Sequence, residues 1–271
     1  MKDSRKVAIV TGGARGLGRA MTLGLSKAEI DVAALDLPAS DRELGEVVAQ
    51  ARHSGGGIVQ PIHADVTQLG ACAAAVEAVL EQFGRIDILV NNAGINDAGF
   101  HMAKAISGSG VPKFYELEEE YWRRLIETNL NGAFRMAKLA APHLVARGWG
   151  RIVNVTTSFS TMVSSGFSPY GPSKAALEAA TSIWAKELAG TGVTVNVLLP
   201  GGAADTRLVP VEMAKDRSKL VAPEKMVPPL LWIVSSAADK VTGQRYIANL
   251  WDAGAPLDKA VAAAGAPAAW Q

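Results

Sequence analysis

"KVAIVTGGARGLGRA", residues 6–20, decides the fold. Val7–Val10 is a short apolar, largely β-branched run, which predicts a buried strand. Glycines at 12, 16 and 18 follow it, and "LGRAMTLGLSKAE" at 17–29 has helical spacing. A strand that passes through glycines into a helix is the context a phosphate-binding turn requires. Gly12 permits the tight turn, Gly16 lets the backbone approach a pyrophosphate, and Gly18 allows the helix to pack close to the strand. The free N–H groups of the helix N-terminus then face the anion. Arg15 and Leu17 stand in the same turn. The spacing is G-x-x-x-G-x-G, not the commoner G-x-G-x-x-G.

Outward from this turn the pattern repeats. "DVAALDL" at 31–37 reads as a second strand, "DRELGEVVAQARHSGGG" as a helix with a glycine stop, and "IVQPIHADV" as a third strand. "LGACAAAVEAVLEQFG" is helical again and "IDILVNNAG" is a fourth strand. A long helix over about 117–147, the strand "GRIVNVTT", a helix from Tyr170, the strand "VTVNVLL", a helix after Pro223 and a last strand "QRYIANL" continue the series. This alternation predicts a single-domain, Rossmann-type, doubly wound parallel sheet with helices on both faces. The domain is expected to span 1–271, with a core of about 5–254. Residues 97–113 break the alternation as a loop-like stretch, and 255–271 form an Ala/Pro tail. Loops at the carboxyl ends of parallel strands are where ligands bind.

Composition bounds the rest. The 271 residues carry 27 Lys plus Arg against 26 Asp plus Glu, so the net charge of +1 gives nucleic acid no electrostatic footing. The acidic run "ELEEEYW" at 116–122 suits a helix N-terminus rather than a metal site. The one cysteine, Cys72, excludes an intrachain disulfide, suits a reducing compartment, and reads as a buried small residue. No apolar run reaches membrane-spanning length and the N-terminal apolar stretch is too short for a signal peptide, so the expected location is the cytoplasm.

Asp36 ends the second strand about twenty residues past the glycines, where an acidic side chain accepts from both ribose hydroxyls of NAD. A 2'-phosphate there meets a negative charge, so NAD is expected over NADP, with Arg15 as a partial offset. Tyr170 and Lys174, in "YGPSK", share one helix face at i and i+4. A free tyrosine has a pKa near 10. A neighbouring ammonium favours the phenolate, so the pair is expected to do acid–base work on an alcohol.

The glycine turn, "NNAG" at 91–94, "TNLNG" at 128–132 and "YGPSK" at 170–174 together resemble the short-chain dehydrogenase/reductase family over about residues 5–254. The resemblance implies Tyr170 as catalytic acid/base. Lys174 would lower its pKa and hold the nicotinamide ribose, and Asn129 would anchor a proton-relay water. It also implies Asp65 and Val66 at the adenine, and Asn91, Asn92, Ala93 and Gly94 beside the adenine ribose. Pro200 and Gly201 would flank the nicotinamide, and Thr206 would touch its carboxamide, although Thr206 stands one residue later than the family pattern places it. The family's serine falls in "VNVTTSFS": spacing points to Thr157 and chemistry to Ser158, and both stay open. The interval from Gly94 to Asn129 is longer than the family pattern, which marks an insertion at about 97–110 that contains Phe100, His101 and Met102.

The leading expectation is an NAD-dependent enzyme that interconverts a secondary alcohol and a ketone. An NADP-preferring reductase of 3-oxoacyl thioesters and a noncatalytic NAD-binding protein stand as alternatives. The resemblance further implies self-association as a homotetramer or homodimer through the helices 117–147 and 170–190. Trp270 is expected to pack on a neighbouring subunit, with a disordered Ala/Pro end as the other reading.

Overall fold

β-Branched, apolar runs too short for helices become the inner strands of one sheet. The computed structural model describes residues 5–96, 112–209, 214 and 216–270. The strands are β1 (Val7–Thr11), β2 (Asp31–Asp36), β3 (Val59–His63), β4 (Ile88–Asn91), β5 (Gly150–Val155), β6 (Val193–Leu199), β7 (Gln244–Ile247) and β8 (Gly265–Pro267). Their order is β3-β2-β1-β4-β5-β6-β7-β8. β1, β4, β5 and β6 are buried along their whole length, as strands covered on both faces must be.

The helices are α1 (Gly16–Lys27), α2 (Asp41–Ser54), α3 (Leu69–Phe83), α4 (Glu119–Ile126), α5 (Gly132–Ala146), α6 (Phe159–Met162), α7 (Tyr170–Glu187), α8 (Val227–Ile233) and α9 (Leu257–Ala264). On one face Met21, Leu25, Leu44, Val47, Leu230 and Ile233 pack against Ala8, Val10, Val32, Val153 and Leu198. On the other, Cys72, Val76, Val79, Met136, Ala140 and Leu144 pack against Ile9, Leu35, Leu89, Ile152 and Val195. Cys72 is the buried small residue the sequence implied, and burial raises its thiol pKa. The strand order reverses between β1 and β4, so the crevice beyond their carboxyl ends is the topological switch point where ligands bind in such sheets.

Three expectations are refined. The sheet is parallel as expected in every pairing but one: β8 runs antiparallel to β7, with Arg245 opposite Ala266. The supposed Ala/Pro tail is α9 followed by β8, and it folds back on its own chain because the edge of β7 offers free backbone groups. Trp270 stacks on Phe159 of the same chain, with ring centroids 5.1 Å apart. Third, the long helix expected over 117–147 is broken at Glu127–Asn131, where one π-helical turn separates α4 from α5. The added residue of a π turn re-aims its side chains, and Asn129 lies in this turn. The acidic run behaves as expected, with Glu119 and Glu120 in the first turn of α4. The insertion at about 97–110, with Phe100, His101 and Met102, lies outside the described residues.

Candidate active site

The glycine turn is close-packed where the sequence placed its glycines. Gly12 has φ +66° and Gly16 φ +51°, a region that side chains disfavour. A Cβ on Gly18 would sit 1.9 Å from the carbonyl oxygen of Gly12, so only glycine lets α1 meet β1 this closely. No side chain caps the N-terminus of α1 and its first turn holds no acidic residue, which leaves its N–H groups and positive dipole end facing the crevice. Asn92 fixes the turn from β4: its side-chain nitrogen donates to the carbonyls of Thr11 (2.9 Å) and Gly12 (3.1 Å). The Thr11 hydroxyl accepts from the N–H groups of Asn92 and Ala93, both at 3.0 Å. Thr11 was missed from the sequence because it reads as a plain strand residue.

Asp36 hangs over this turn from the end of β2. One carboxylate oxygen accepts from the Ala14 N–H at 3.0 Å; the other accepts from the Leu37 N–H (2.9 Å) and the Ser40 hydroxyl (3.0 Å). Arg15 turns toward Glu43 (3.6 Å), which Arg207 approaches at 3.4 Å. Leu17 packs on the core. The methyl group of Thr206 lies against Gly16, 2.9 Å from where a Cβ would stand. Thr206 therefore reaches the glycine turn. Asp65 caps its own turn by accepting from the Thr67 N–H at 2.9 Å, and Val66 is buried against Gly132. Asn91 is a sheet tie: its side chain donates to Asn154 Oδ1 at 2.9 Å, between β4 and β5.

The second cluster gathers beyond β5 and at the start of α7. Asn129 is fully buried; its Nδ2 donates to the Ile95 carbonyl (3.0 Å) and the Ser173 hydroxyl (3.1 Å), and its Oδ1 accepts from the Ile95 N–H (2.8 Å). The Ser173 hydroxyl in turn donates to the Tyr170 carbonyl at 2.7 Å. Ser173 was not singled out, although it stands inside "YGPSK". Gly94 fits between Asn129 and Lys174, with a Cβ position 3.2 Å from Asn129 Oδ1 and 3.4 Å from Lys174 Nζ. Lys174 Nζ donates to the Val155 carbonyl at 2.9 Å. Beyond β6, the Pro200 carbonyl accepts from the Asn249 N–H at 3.0 Å, and Gly201 has φ +84° with Ile247 where a Cβ would stand.

The two candidate hydroxyls have different surroundings. The Thr157 hydroxyl lowers the Tyr170 phenol pKa, so it faces that group. Ser158 is occupied as the N-cap of α6, accepting from the Thr161 N–H at 3.3 Å. Burial works against the electrostatic expectation in both groups. Burial pushes the Tyr170 phenol up to about 12, and the Thr157 hydroxyl opposes that only in part. Burial pulls Lys174 down to about 8. Lys174 Nζ lies 6.0 Å from the tyrosine ring centroid, and its proton is directed at Val155. Desolvation is the largest cause of both shifts.

Known proteins share the sequence pattern and fold of this chain. The short chain dehydrogenase family model matches residues 6–216. A 3-oxoacyl-acyl-carrier-protein reductase of Thermotoga maritima is 32% identical over 253 residues, covering 90% of this chain and 96% of that protein. An acetoacetyl-CoA reductase of Rhizobium meliloti is 33% identical over 255 residues, covering 90% and 97%. Among solved structures, a candidate NAD(P)-dependent gluconate 5-dehydrogenase of Beutenbergia cavernae with NADP bound at low occupancy superposes with a TM-score of 0.77. It is 29% identical and the match covers 90% of this chain and 94% of that one. The matched stretch holds both the glycine turn and the Tyr170–Lys174 helix, and the chain belongs to the short-chain dehydrogenase/reductase family of oxidoreductases.

Proposed function

We propose that this oxidoreductase interconverts a secondary alcohol and a ketone, with NAD preferred over NADP and Tyr170 as the proton-transfer residue. The observation that carries the reading is Tyr170 one helical turn before a buried Lys174 whose Nζ is held by the Val155 carbonyl, with the Thr157 hydroxyl lowering the phenol pKa. It supplies two hydroxyls that converge where a substrate oxygen can be held and relieved of its proton.

The residues present fit a dinucleotide. The cradle at Gly12, Gly16 and Gly18 and the uncapped N-terminus of α1 suit its pyrophosphate. Asp36 suits an adenine ribose with free hydroxyls, and Asp65, Val66, Asn92, Ala93 and Gly94 border the same crevice. Lys174, Pro200 and Gly201 would serve the nicotinamide half, as the family resemblance implies, and Thr206, which lies against Gly16, would reach it from the glycine turn. The nicotinamide, when bound, supplies the hydride acceptor or donor. Thr157 orients the substrate oxygen, with Ser158 reserved for the cap of α6. Tyr170 holds its proton firmly at neutral pH, so it is poised as the acid of ketone reduction. For alcohol oxidation it must first lose that proton, which Lys174 aids only while it carries charge. Asn129 links the backbone of Ile95 to Ser173, next to this path.

A second reading, an NADP-preferring reductase of 3-oxoacyl thioesters, is favoured by the two relatives named above and by Arg15 and Arg207 near Glu43. Rate measurements with NAD and NADP, against a panel of secondary alcohols, polyols and hydroxy acids and the matching ketones and 3-oxoacyl thioesters, separate the two. NAD-linked turnover that falls about 10²–10⁴-fold in Tyr170→Phe supports the first reading. Faster NADP-linked thioester reduction overturns it.

The remaining parts of the proposal concern the whole chain. It is read as a single domain over 1–271 that works in the cytoplasm as a homotetramer or homodimer. Among the described residues no helix is long and apolar enough to cross a membrane.

A further inference from the structure

Three side chains grip the backbone that carries Thr157. Lys174 Nζ donates to the Val155 carbonyl (2.9 Å), the Thr156 hydroxyl donates to Glu178 Oε2 (3.0 Å), and Arg245 Nη2 donates to the Thr157 carbonyl (3.3 Å). Lys174 and Glu178 are one turn apart on α7; Arg245 comes from β7 and meets Glu178 at 2.7 Å. Glu178 is fully buried and Arg245 nearly so. A buried ion pair is weak as a source of stability, because desolvation offsets its attraction. It does fix geometry, since each partner left alone is costly.

The last contact on Glu178 comes from the segment after β8. The Ala269 N–H favours the charged form of the Glu178 carboxylate, against the burial that raises its pKa. Ala269 and Trp270 hold φ values of +59° and +60°, which non-glycine residues adopt only under constraint. The Trp270 ring stacks on Phe159, two residues past Thr157, and the Arg245 guanidinium carbon lies 3.8 Å from the same Phe159 ring. Ala268 anchors the segment: it is fully buried and its N–H donates to the Gly243 carbonyl at 3.0 Å. Trp270 itself is 53% exposed, so its stacking adds little to stability, yet it closes a ring of contacts around residues 156–159.

We infer that residues 268–270 are a latch that holds Thr157 in register with Tyr170, acting through Glu178, Arg245 and Phe159, with Trp270 as its outermost positioning residue. This rests on the reading that Thr157 and Tyr170 touch the substrate.

The test compares wild type, Trp270→Ala, Trp270→Phe and a variant lacking residues 268–270. In each, kcat, KM, NADH affinity by fluorescence, thermal midpoint and amide exchange at 155–159 are measured. Trp270→Ala is expected to lower kcat about tenfold, within the range for a misplaced reacting group, with NADH affinity and thermal midpoint nearly unchanged. Amide exchange at 155–159 should quicken in the unliganded protein, and Trp270→Phe should restore most of both. Wild-type kcat and exchange in Trp270→Ala and in the deletion variant overturn the latch, as does a kcat loss that follows the thermal midpoint alone. Thr157→Val in the same assay keeps the two ideas apart: wild-type turnover there overturns the threonine reading, whatever the latch variants do.

Discussion

At the scale of single residues, burial holds the proton on the Tyr170 phenol and loosens it on Lys174. Thr157 meets the Tyr170 phenol while the Ser158 hydroxyl serves the cap of α6. Thr157→Val is therefore expected to lower kcat about 10²-fold or more, as loss of a positioned catalytic hydrogen bond does. Ser158→Ala should cost about 1 kcal/mol of stability, the worth of an N-cap, with little change in kcat. Steady-state rates and chemical melts on the two variants check this. Lys174 gives a pH signature. Its folded pKa, about 8, lies below the ordinary lysine value of 10.5, so between these values the unfolded chain binds more protons than the folded one. Stability from this group then rises with pH across that window, and its full cost is present below pH 8. Wild type should gain on Lys174→Met between pH 8 and 10 by about 3 kcal/mol at most, read from denaturant melts. A gap between the two proteins that does not change with pH would contradict this. A hydroxyl near Tyr170 was legible as a spacing, which left both Thr157 and Ser158 open. The direction of the Tyr170 and Lys174 shifts was not, because desolvation depends on what covers the pair and adjacency in sequence does not report that.

Elements were legible where local pattern and tertiary need coincide. β1 and α1 read directly from "KVAIVTGGARGLGRA" because the turn between them admits only glycine at its tightest point. Gly18→Ala puts a Cβ 1.9 Å from the Gly12 carbonyl oxygen, so backbone must shift at the phosphate cradle. The expected result is a loss of about 1–3 kcal/mol of stability together with weaker NADH binding. Calorimetry and a fluorescence titration measure both, and unchanged NADH affinity would detach the cradle from the cofactor. β8 was not legible: "GAP" has no alternation, and its strand character comes only from pairing with the edge of β7. The π turn at Asn129 was hidden for a related reason. A helical sequence does not announce where one extra residue is inserted; the bonds of Asn129 to Ile95 and Ser173 across the site do. The Glu178–Arg245 pair joins residues 67 apart and leaves no local trace.

For the whole molecule, the two-faced wrapping of the sheet followed from alternation alone, while its outer surface raises the question of assembly. α5 leaves Phe134 and Val145 exposed at 48% and 39%, and α7 leaves Ile183 exposed at 54%. Both helices have already covered the sheet with their other faces, through Met136, Ala140 and Leu144 on α5 and Ala185 on α7. Apolar side chains left outward on two helices suit a contact with a second copy. In a two-fold contact the same patch serves both partners, so one substitution acts twice. Ile183→Asp should therefore place two carboxylates in a desolvated contact and dissociate the oligomer, whereas the same change at exposed Leu208 should not. Light scattering at micromolar concentration is expected to give a dimer or tetramer for wild type and for Leu208→Asp, and a monomer for Ile183→Asp. A monomeric wild type would refute the assembly proposal. An unchanged oligomer in Ile183→Asp would move the interface away from α7.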